Sequence, residues 1–256
     1  MKIPLNPPLV KGDLNKTFLS VVIPAYNESK RIRDSLKGII NYLEHQKYIW
    51  EIIIVNDGSS DSTADVIRNL MDTYPVKLLT NETNRGKGFS VRKGMLNSQG
   101  EYVLFSDADL STPIDELSKM LKIMAEGYDL VIGSRGLKES KILIRQPFYR
   151  EFMGKVFNRI VRLLTVRGIN DTQCGFKLFR GDIAKRIFNK QRLDGFSFDV
   201  EILYIAKKCR FSIKEIPVRW TNSPDSKVRA LKNSPGMFFD LIKINFYNIT
   251  GNYNNV

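Results

Sequence analysis

The sequence predicts an α/β domain with a mostly parallel sheet flanked by helices. Three observations point there. Apolar, β-branched runs of strand length alternate with helical patterns of about 10–15 residues. One run, Glu51-Ile52-Ile53-Ile54-Val55, is continuously apolar after its first residue, as a strand buried on both faces requires. Short clusters of Asp, Asn, Gly and Ser follow the runs directly, where such sheets keep their ligands. Alternation of this kind implies parallel strands joined by right-handed crossovers. With 256 residues, 43% of them hydrophobic, the chain can build one large domain with a C-terminal extension.

The elements follow in order. Residues 1–17 read as a polar, Pro-containing tail. Phe18 to Ile23, stopped by Pro24, is the first strand. Asn27 or Ser29 then caps a helix from about Lys30 to Gln46, with Ile32, Leu36, Ile39, Ile40 and Leu43 on one face. After the strand 51–55, the cluster from Asn56 to Ser62 opens a helix over Ala64–Thr73. Val76–Thr80 is a strand, Gly86–Ser98 a helix, Tyr102–Ser106 a strand, Ile114–Glu126 a helix capped near Thr112, and Leu130–Gly133 a fifth strand. Between Arg145 and Arg167, Phe148, Phe152, Val156, Ile160 and Leu164 recur every four residues, giving a helix near 147–166 with one apolar face. Met237–Tyr247 supplies a second aromatic surface, within a C-terminal amphipathic helix and tail over 236–256.

Composition removes several function classes. Cys174 and Cys209 lack CxxC spacing and are too few for a disulfide framework or a thiolate metal site. The N-terminal stretch holds no long apolar run, and no segment reaches the roughly 18 apolar residues of a membrane span, so neither a secreted precursor nor an integral membrane protein is expected. His45, the single histidine, sits on a polar helical stretch, which leaves Ser-His-Asp catalysis unsupported. Gly86-Lys87-Gly88 lacks P-loop spacing, and no GxGxxG follows the first strand. The net charge of +13 lies wholly in the second half, since residues 1–128 carry 16 basic and 16 acidic side chains. Nucleic acid, an anionic membrane or a phosphorylated substrate would each suit that surface.

The strand ends carry the chemistry. Asp107-Ala108-Asp109 closes an apolar strand, and alternate carboxylates there can face one Mg²⁺ or Mn²⁺ and a diphosphate. A solvated surface turn would carry the same tripeptide. Asp57 adds a carboxylate on the same edge, suited to a ribose hydroxyl or a base edge, or equally to an Asx-turn before Ser59.

Taken together, Val22–Glu28, Val55–Asp61, Asn84–Gly88, Asp107–Leu110 and Gly133–Arg135 resemble the ordered motif series of glycosyltransferase family 2. Asp171–Phe179, Phe196–Glu201 and Val218–Trp220 extend the likeness to about residue 240. These later segments look most like the branch that glucosylates dolichyl phosphate and a little less like the branch that mannosylates it. The resemblance implies a GT-A catalytic domain over 18–235. It sets Pro24, Tyr26, Glu28, Val55 and Asp57 around a nucleoside. It places Asp107 and Asp109 beside the diphosphate and as ligands of Mg²⁺ or Mn²⁺, with Lys87 and Ala108 among the nucleotide-sugar-binding residues. Arg135 and Arg219 are implied near the phosphates, and Ser226 and Lys227 on a loop folding over the donor. Position 111 is Ser where mannose synthases usually carry Gln beside the metal.

The expected activity is inverting transfer of a hexose, foremost glucose from UDP-glucose, to dolichyl or another polyprenyl phosphate, by a protein peripheral on the cytoplasmic face of a membrane. Arg150, Lys155, Arg159 and Arg162 on the 147–166 helix suit lipid headgroups, although a core helix with a basic edge has the same periodicity. Arg145, Arg150 and Arg135 are the candidates for the acceptor phosphate, whose second pKa near 6 leaves its oxygen already ionised. Asp171 takes a positional role in the catalytic set; a saccharide-hydroxyl acceptor would instead make it an indispensable base. A nucleic-acid-binding module would use the basic surface but leave the strand-end carboxylates unexplained, so no nucleic-acid partner is expected.

Overall fold

The computed structural model of the protein describes residues 16–144, 154, 156, 158–161, 165–222 and 230–254, with the backbone alone over 230–235. Arg145, Arg150, Ser226 and Lys227 lie outside these residues. So does most of the expected 147–166 helix, of which 154, 156 and 158–161 are helical.

Besides the helical residues 154, 156 and 158–161, nine strands and seven α-helices are described. In chain order they are β1 (Leu19–Ala25), α1 (Ile32–Glu44), β2 (Trp50–Asn56), α2 (Thr63–Met71), β3 (Val76–Thr80), α3 (Lys87–Asn97) and β4 (Tyr102–Ser106). A 3₁₀ turn at Ile114–Glu116 leads into α4 (Leu117–Met124). Then follow β5 (Leu130–Ser134), β6 (Lys141–Ile144), β7 (Phe176–Arg180), α5 (Gly181–Lys190), α6 (Phe198–Lys208), β8 (Ile213–Pro217), β9 (Arg219–Thr221) and α7 (Ala230–Ile249).

Seven strands form the main sheet in the order β3-β2-β1-β4-β7-β5-β8. Every pairing is parallel except those of β7, which runs antiparallel to both neighbours. Strand periodicity divides the core in two. On β2, Ile53 and Val55 face the layer of α3, α5, α6 and α7, while Ile52 and Ile54 face α1, α2 and α4. Each such fully buried side chain contributes about 1.5–3 kcal/mol. β6 and β9 form a separate parallel pair beside the main sheet.

The first helix departs from expectation. It starts at Ile32, with no side-chain cap. Asn27 adopts φ +53 and turns its amide to the neighbouring loop, where its oxygen accepts the Ser60 N–H at 2.9 Å. Ser29 donates its N–H to Asp61 at 3.1 Å. The expected capping residues thus tie the β1 loop to the β2 loop. In the C-terminal helix, Leu241 and Ile244 are buried while Phe239, Ile242, Phe246 and Ile249 are exposed. Both its inner and outer sides are apolar. Among the described residues, no helix is long and apolar enough to cross a membrane.

Candidate functional site

The carboxyl ends of β1, β2 and β4 meet on one edge. Pro24 and Val55 are register partners on β1 and β2, and Tyr26 just beyond is 38% exposed. Glu28 is buried, donates its N–H to Thr63 Oγ1 at 2.8 Å, and accepts both Nε and Nη2 of Arg31. Asp57 is buried as well. Its Oδ1 accepts Asn81 Nδ2 at 2.8 Å and the Arg85 N–H at 2.9 Å, and its Oδ2 accepts the Gly86 N–H at 2.9 Å. This carboxylate draws the 84–86 turn over the strand ends. Gly86 sits at φ +102, and a Cβ there would lie 2.4 Å from the Asp194 carbonyl oxygen, so only glycine fits.

That turn delivers Lys87, the first residue of α3, to the end of β4. Lys87 Nζ lies 2.7 Å from Asp107 Oδ1, with the Phe105 ring centroid at 5.3 Å and that of Phe198 at 6.0 Å. Burial works against the ammonium, but the charges of Asp107, Asp199 and Asp109 outweigh it and hold its pKa above the usual lysine value. Asp109 accepts the Ser111 N–H at 3.0 Å, and its other oxygen lies 4.0 Å from Arg31 Nη1. Ser106, Asp107, Leu110, Ser111, Thr112, Gly175 and Trp220 line a cleft at this edge. Ala108, between the two carboxylates, is buried.

Gly175 determines where the Asp107 carboxylate can lie. Its carbonyl accepts the Asp107 N–H at 3.0 Å, and a Cβ on it would stand 1.9 Å from Asp107 Oδ2. The space beside the carboxylate is therefore a cradle that one methyl group would fill. Two oxygen-donor carboxylates on alternate residues, one seated against bare backbone, suit a hard divalent cation. Among the described residues, no group of three or more His, Cys, Asp or Glu is arranged to hold a metal ion, so further ligands would come from substrate phosphate or water.

A second buried cluster lies behind β5. Arg135 donates Nε and Nη2 to the two oxygens of Asp171, at 2.6 and 2.8 Å, and its backbone N–H to Oδ2 at 3.0 Å. Gln173 N–H adds a bond to Oδ1 at 3.2 Å. Burial alone would raise the Asp171 pKa, but the Arg135 charge and hydrogen bonds win and pull it down to about 2. Such a carboxylate is a weak proton acceptor. Asp171 instead orients Arg135, whose guanidinium lies 5.4 Å from the Trp220 ring centroid at the cleft wall. Arg219 is engaged otherwise: its Nε donates to the buried Glu116 at 2.6 Å, and its Nη2 to Asp115. Here it fastens β9 to the 3₁₀ turn after the β4 loop.

Sequence reading gave no roles to Gly175, Lys177 and Asp199. Lys177 is fully buried on β7 opposite Phe105, donating to Asp199 at 2.5 Å and to the Cys174 carbonyl at 2.7 Å. A charged residue inside an otherwise apolar strand, Phe176-Lys177-Leu178-Phe179, was the available signal. Glu201 is buried too, accepting the N–H groups of Arg192 and Leu193 and the Tyr253 hydroxyl, which fixes the loop against Gly86 and Gly88.

The sheet edge carries paired carboxylates and a lysine beside a cleft, and comparison with known proteins supplies the family. Residues 20–188 match the model of glycosyl transferase family 2, and the chain belongs to that family. Dolichyl-phosphate beta-glucosyltransferase of Dictyostelium discoideum is 38% identical over 254 residues, covering 94% of this chain and 78% of that protein. The Homo sapiens protein of the same name is 35% identical over 247 residues, covering 91% and 76%. The main sheet has the GT-A architecture. Mannosyl-3-phosphoglycerate synthase from Rubrobacter xylanophilus aligns with a TM-score of 0.65 at 17% identity, over 94% of this chain and 77% of that one. Glucosyl-3-phosphoglycerate synthase from Mycobacterium tuberculosis, crystallised with Mn²⁺, UDP and glucosyl-3-phosphoglycerate, aligns at 0.62 and 20% identity over 93% and 84%.

Two outcomes follow from this geometry. Gly175→Ala should leave the circular-dichroism spectrum and unfolding midpoint near wild type, because the crowded atoms are the tip of one side chain. Turnover should nevertheless fall about 100-fold through displacement of the Asp107 carboxylate; full turnover would contradict the cradle. Asp171, lowered from 3.8 to about 2, stabilises the fold by about 2 kcal/mol above pH 4 and loses that contribution as pH falls toward 2. In urea unfolding, the stability difference between wild type and Asp171→Asn should therefore narrow from pH 5 downward, whereas a constant difference would refute the ion pair.

Proposed function

We propose that this protein transfers glucose from UDP-glucose to dolichyl phosphate, or another polyprenyl phosphate, with inversion at the anomeric carbon. One observation carries the chemistry: Asp107 and Asp109 flank the end of β4 with Lys87 2.7 Å from the first of them. The sugar and the lipid rest on the relatives, which are named for glucosyl transfer to dolichyl phosphate and align over nine-tenths of this chain.

In this reading Pro24, Tyr26, Glu28, Val55 and Asp57 surround the nucleoside, with Asp57 also holding the turn that carries Lys87. Lys87 lies against the diphosphate, and Arg135 is aimed at the same region by Asp171. Arg219, Ser226 and Lys227 complete the donor side, and Arg145 and Arg150 join Arg135 in binding the acceptor phosphate. Asp107 and Asp109 would hold Mg²⁺ or Mn²⁺, which when bound neutralises charge building on the departing diphosphate. The acceptor phosphate oxygen attacks the anomeric carbon from the face opposite the diphosphate. A carbon–oxygen bond to the lipid phosphate forms as the bond to UDP breaks, and UDP leaves. No proton need be removed, because the acceptor is ionised near neutral pH. A buried Asp171 locked to Arg135 suits this route better than hydroxyl transfer, which requires a base.

The lipid tail suggests where the protein meets a membrane. On α7, Phe239, Ile242, Phe246 and Ile249 are 62, 52, 59 and 82% exposed and recur at intervals of three and four residues, forming one outward apolar stripe. A bilayer interface would cover such a stripe, and Lys243, on the same helix and paired with Asp240, borders it.

Purified protein incubated with Mg²⁺, a panel of nucleotide sugars and polyprenyl phosphate in detergent should yield glucosyl phospholipid from UDP-glucose, identified by mass spectrometry. Asp109→Asn should abolish most of that turnover in a folded protein; Mg²⁺-dependent activity retained in full would refute the metal assignment. Phe239→Ser combined with Phe246→Ser should reduce cosedimentation with anionic liposomes at least 10-fold without lowering stability, as two exposed aromatics lose their apolar burial. Undiminished binding would exclude α7 as the contact.

A further inference from the structure

Asp107 is claimed twice. Its Oδ1 already holds Lys87 at 2.7 Å, and its Oδ2 faces Gly175 with no room for a substituent. Asp109 has a protein cation near it too, since Arg31 Nη1 is 4.0 Å from Oδ2. A divalent cation entering between these carboxylates meets two like charges within a few ångströms, and like charges at that range oppose each other strongly away from bulk water.

Lys87 is anchored at the cleft by its backbone. It opens α3 directly after Gly86, whose N–H is bonded to Asp57, and its Nζ lies 5.3 Å from the Phe105 ring centroid and 6.0 Å from that of Phe198. Asp199, paired with the buried Lys177, adds negative charge that also acts on Lys87. The ammonium therefore stays at the cleft whichever partner it takes. A diphosphate placed there offers it a new anionic partner and brings the cation oxygen ligands of its own.

We propose that Lys87 and the divalent cation compete for the Asp107 carboxylate, and that a nucleoside diphosphate relieves the competition by taking over Lys87, so that cation and diphosphate bind synergistically. This rests on the nucleotide-sugar reading above and adds an order to it: the cation is held weakly alone and firmly with the diphosphate. Lys87 is then a positioning residue that keeps Asp107 from a lone cation. By linkage, the factor by which UDP tightens Mn²⁺ equals the factor by which Mn²⁺ tightens UDP.

Free Mn²⁺ is measured by electron paramagnetic resonance during titration into the full chain, with and without UDP, after correction for the Mn²⁺–UDP complex formed in solution. Wild type should bind Mn²⁺ weakly by itself, with a coupling factor in the range of about 5- to 150-fold on adding UDP. Lys87→Met should bind Mn²⁺ without UDP about 10-fold more tightly, show a smaller coupling factor, and bind UDP less well at saturating Mn²⁺. Lys87→Arg keeps the charge and should retain the coupling; unfolding midpoints for both variants guard against a folding defect. Unchanged Mn²⁺ affinity and unchanged coupling in folded Lys87→Met, or a wild-type protein that binds Mn²⁺ and UDP independently, would overturn the competition while leaving the transferase reading intact. A wild-type protein that binds no UDP at any Mn²⁺ concentration would overturn both.

Discussion

The antiparallel pairing of β7 with β4 is the constraint on which the rest of the site depends. It ends where Asp107 donates its N–H to the Gly175 carbonyl at 3.0 Å, so the last turn of the ladder is also the wall of the cleft. Because β7 also pairs with β5, it brings Asp171, Cys174 and Gly175 to the edge formed by β1, β2 and β4. A parallel strand in that slot would run the other way and start at the far end of the sheet. The reversal lets residues more than 60 positions apart share one edge, and Gly175 makes the contact close enough to fix a carboxylate.

Charge is handled locally, although the chain carries a net +13. Four carboxylates at or behind the edge have assigned cations: Asp107 with Lys87, Asp171 with Arg135, Asp199 with Lys177 and Glu116 with Arg219. Burying such pairs costs desolvation that apolar residues would avoid, so their value lies in orientation more than in stability. The pairs differ in depth. Lys177 and Asp199 are sealed in the core, Arg135 reaches the cleft wall, and Lys87 stands at the opening, where a phosphate can exchange partners with it. In the proposed reading, this difference in depth separates scaffold from working groups and couples cation binding to diphosphate binding.

Much of this was legible in the sequence, for identifiable reasons. β1 to β5 and α1 to α4 announce themselves because apolar runs alternate with helix-length segments bounded by turn residues, and α1 carries a 3.6-residue apolar period; these local signals need no partner. The strand-end carboxylates were equally visible, since a parallel sheet puts its loops at one edge by topology. β7 was missed because Lys177 interrupts its apolar run, and only the tertiary partner Asp199 makes that lysine acceptable in a core. Gly175 carries no signal of its own: its importance is the distance to Asp107, 68 positions earlier. The capping roles of Asn27 and Ser29 failed for a similar reason, as both residues found better partners across the edge at Ser60 and Asp61. Local propensity yields where a longer contact satisfies the same polar group.

The central proposal is that the divalent cation and the diphosphate meet at the end of β4. A crystal grown with Mn²⁺ and UDP, with anomalous differences collected at the manganese edge, tests this most directly. The account predicts one strong peak within bonding distance of Asp107 and Asp109 and of a diphosphate oxygen, with Lys87 Nζ moved from Asp107 to the diphosphate. A manganese peak elsewhere on the protein, or UDP bound with the Lys87–Asp107 pair still closed, would contradict it.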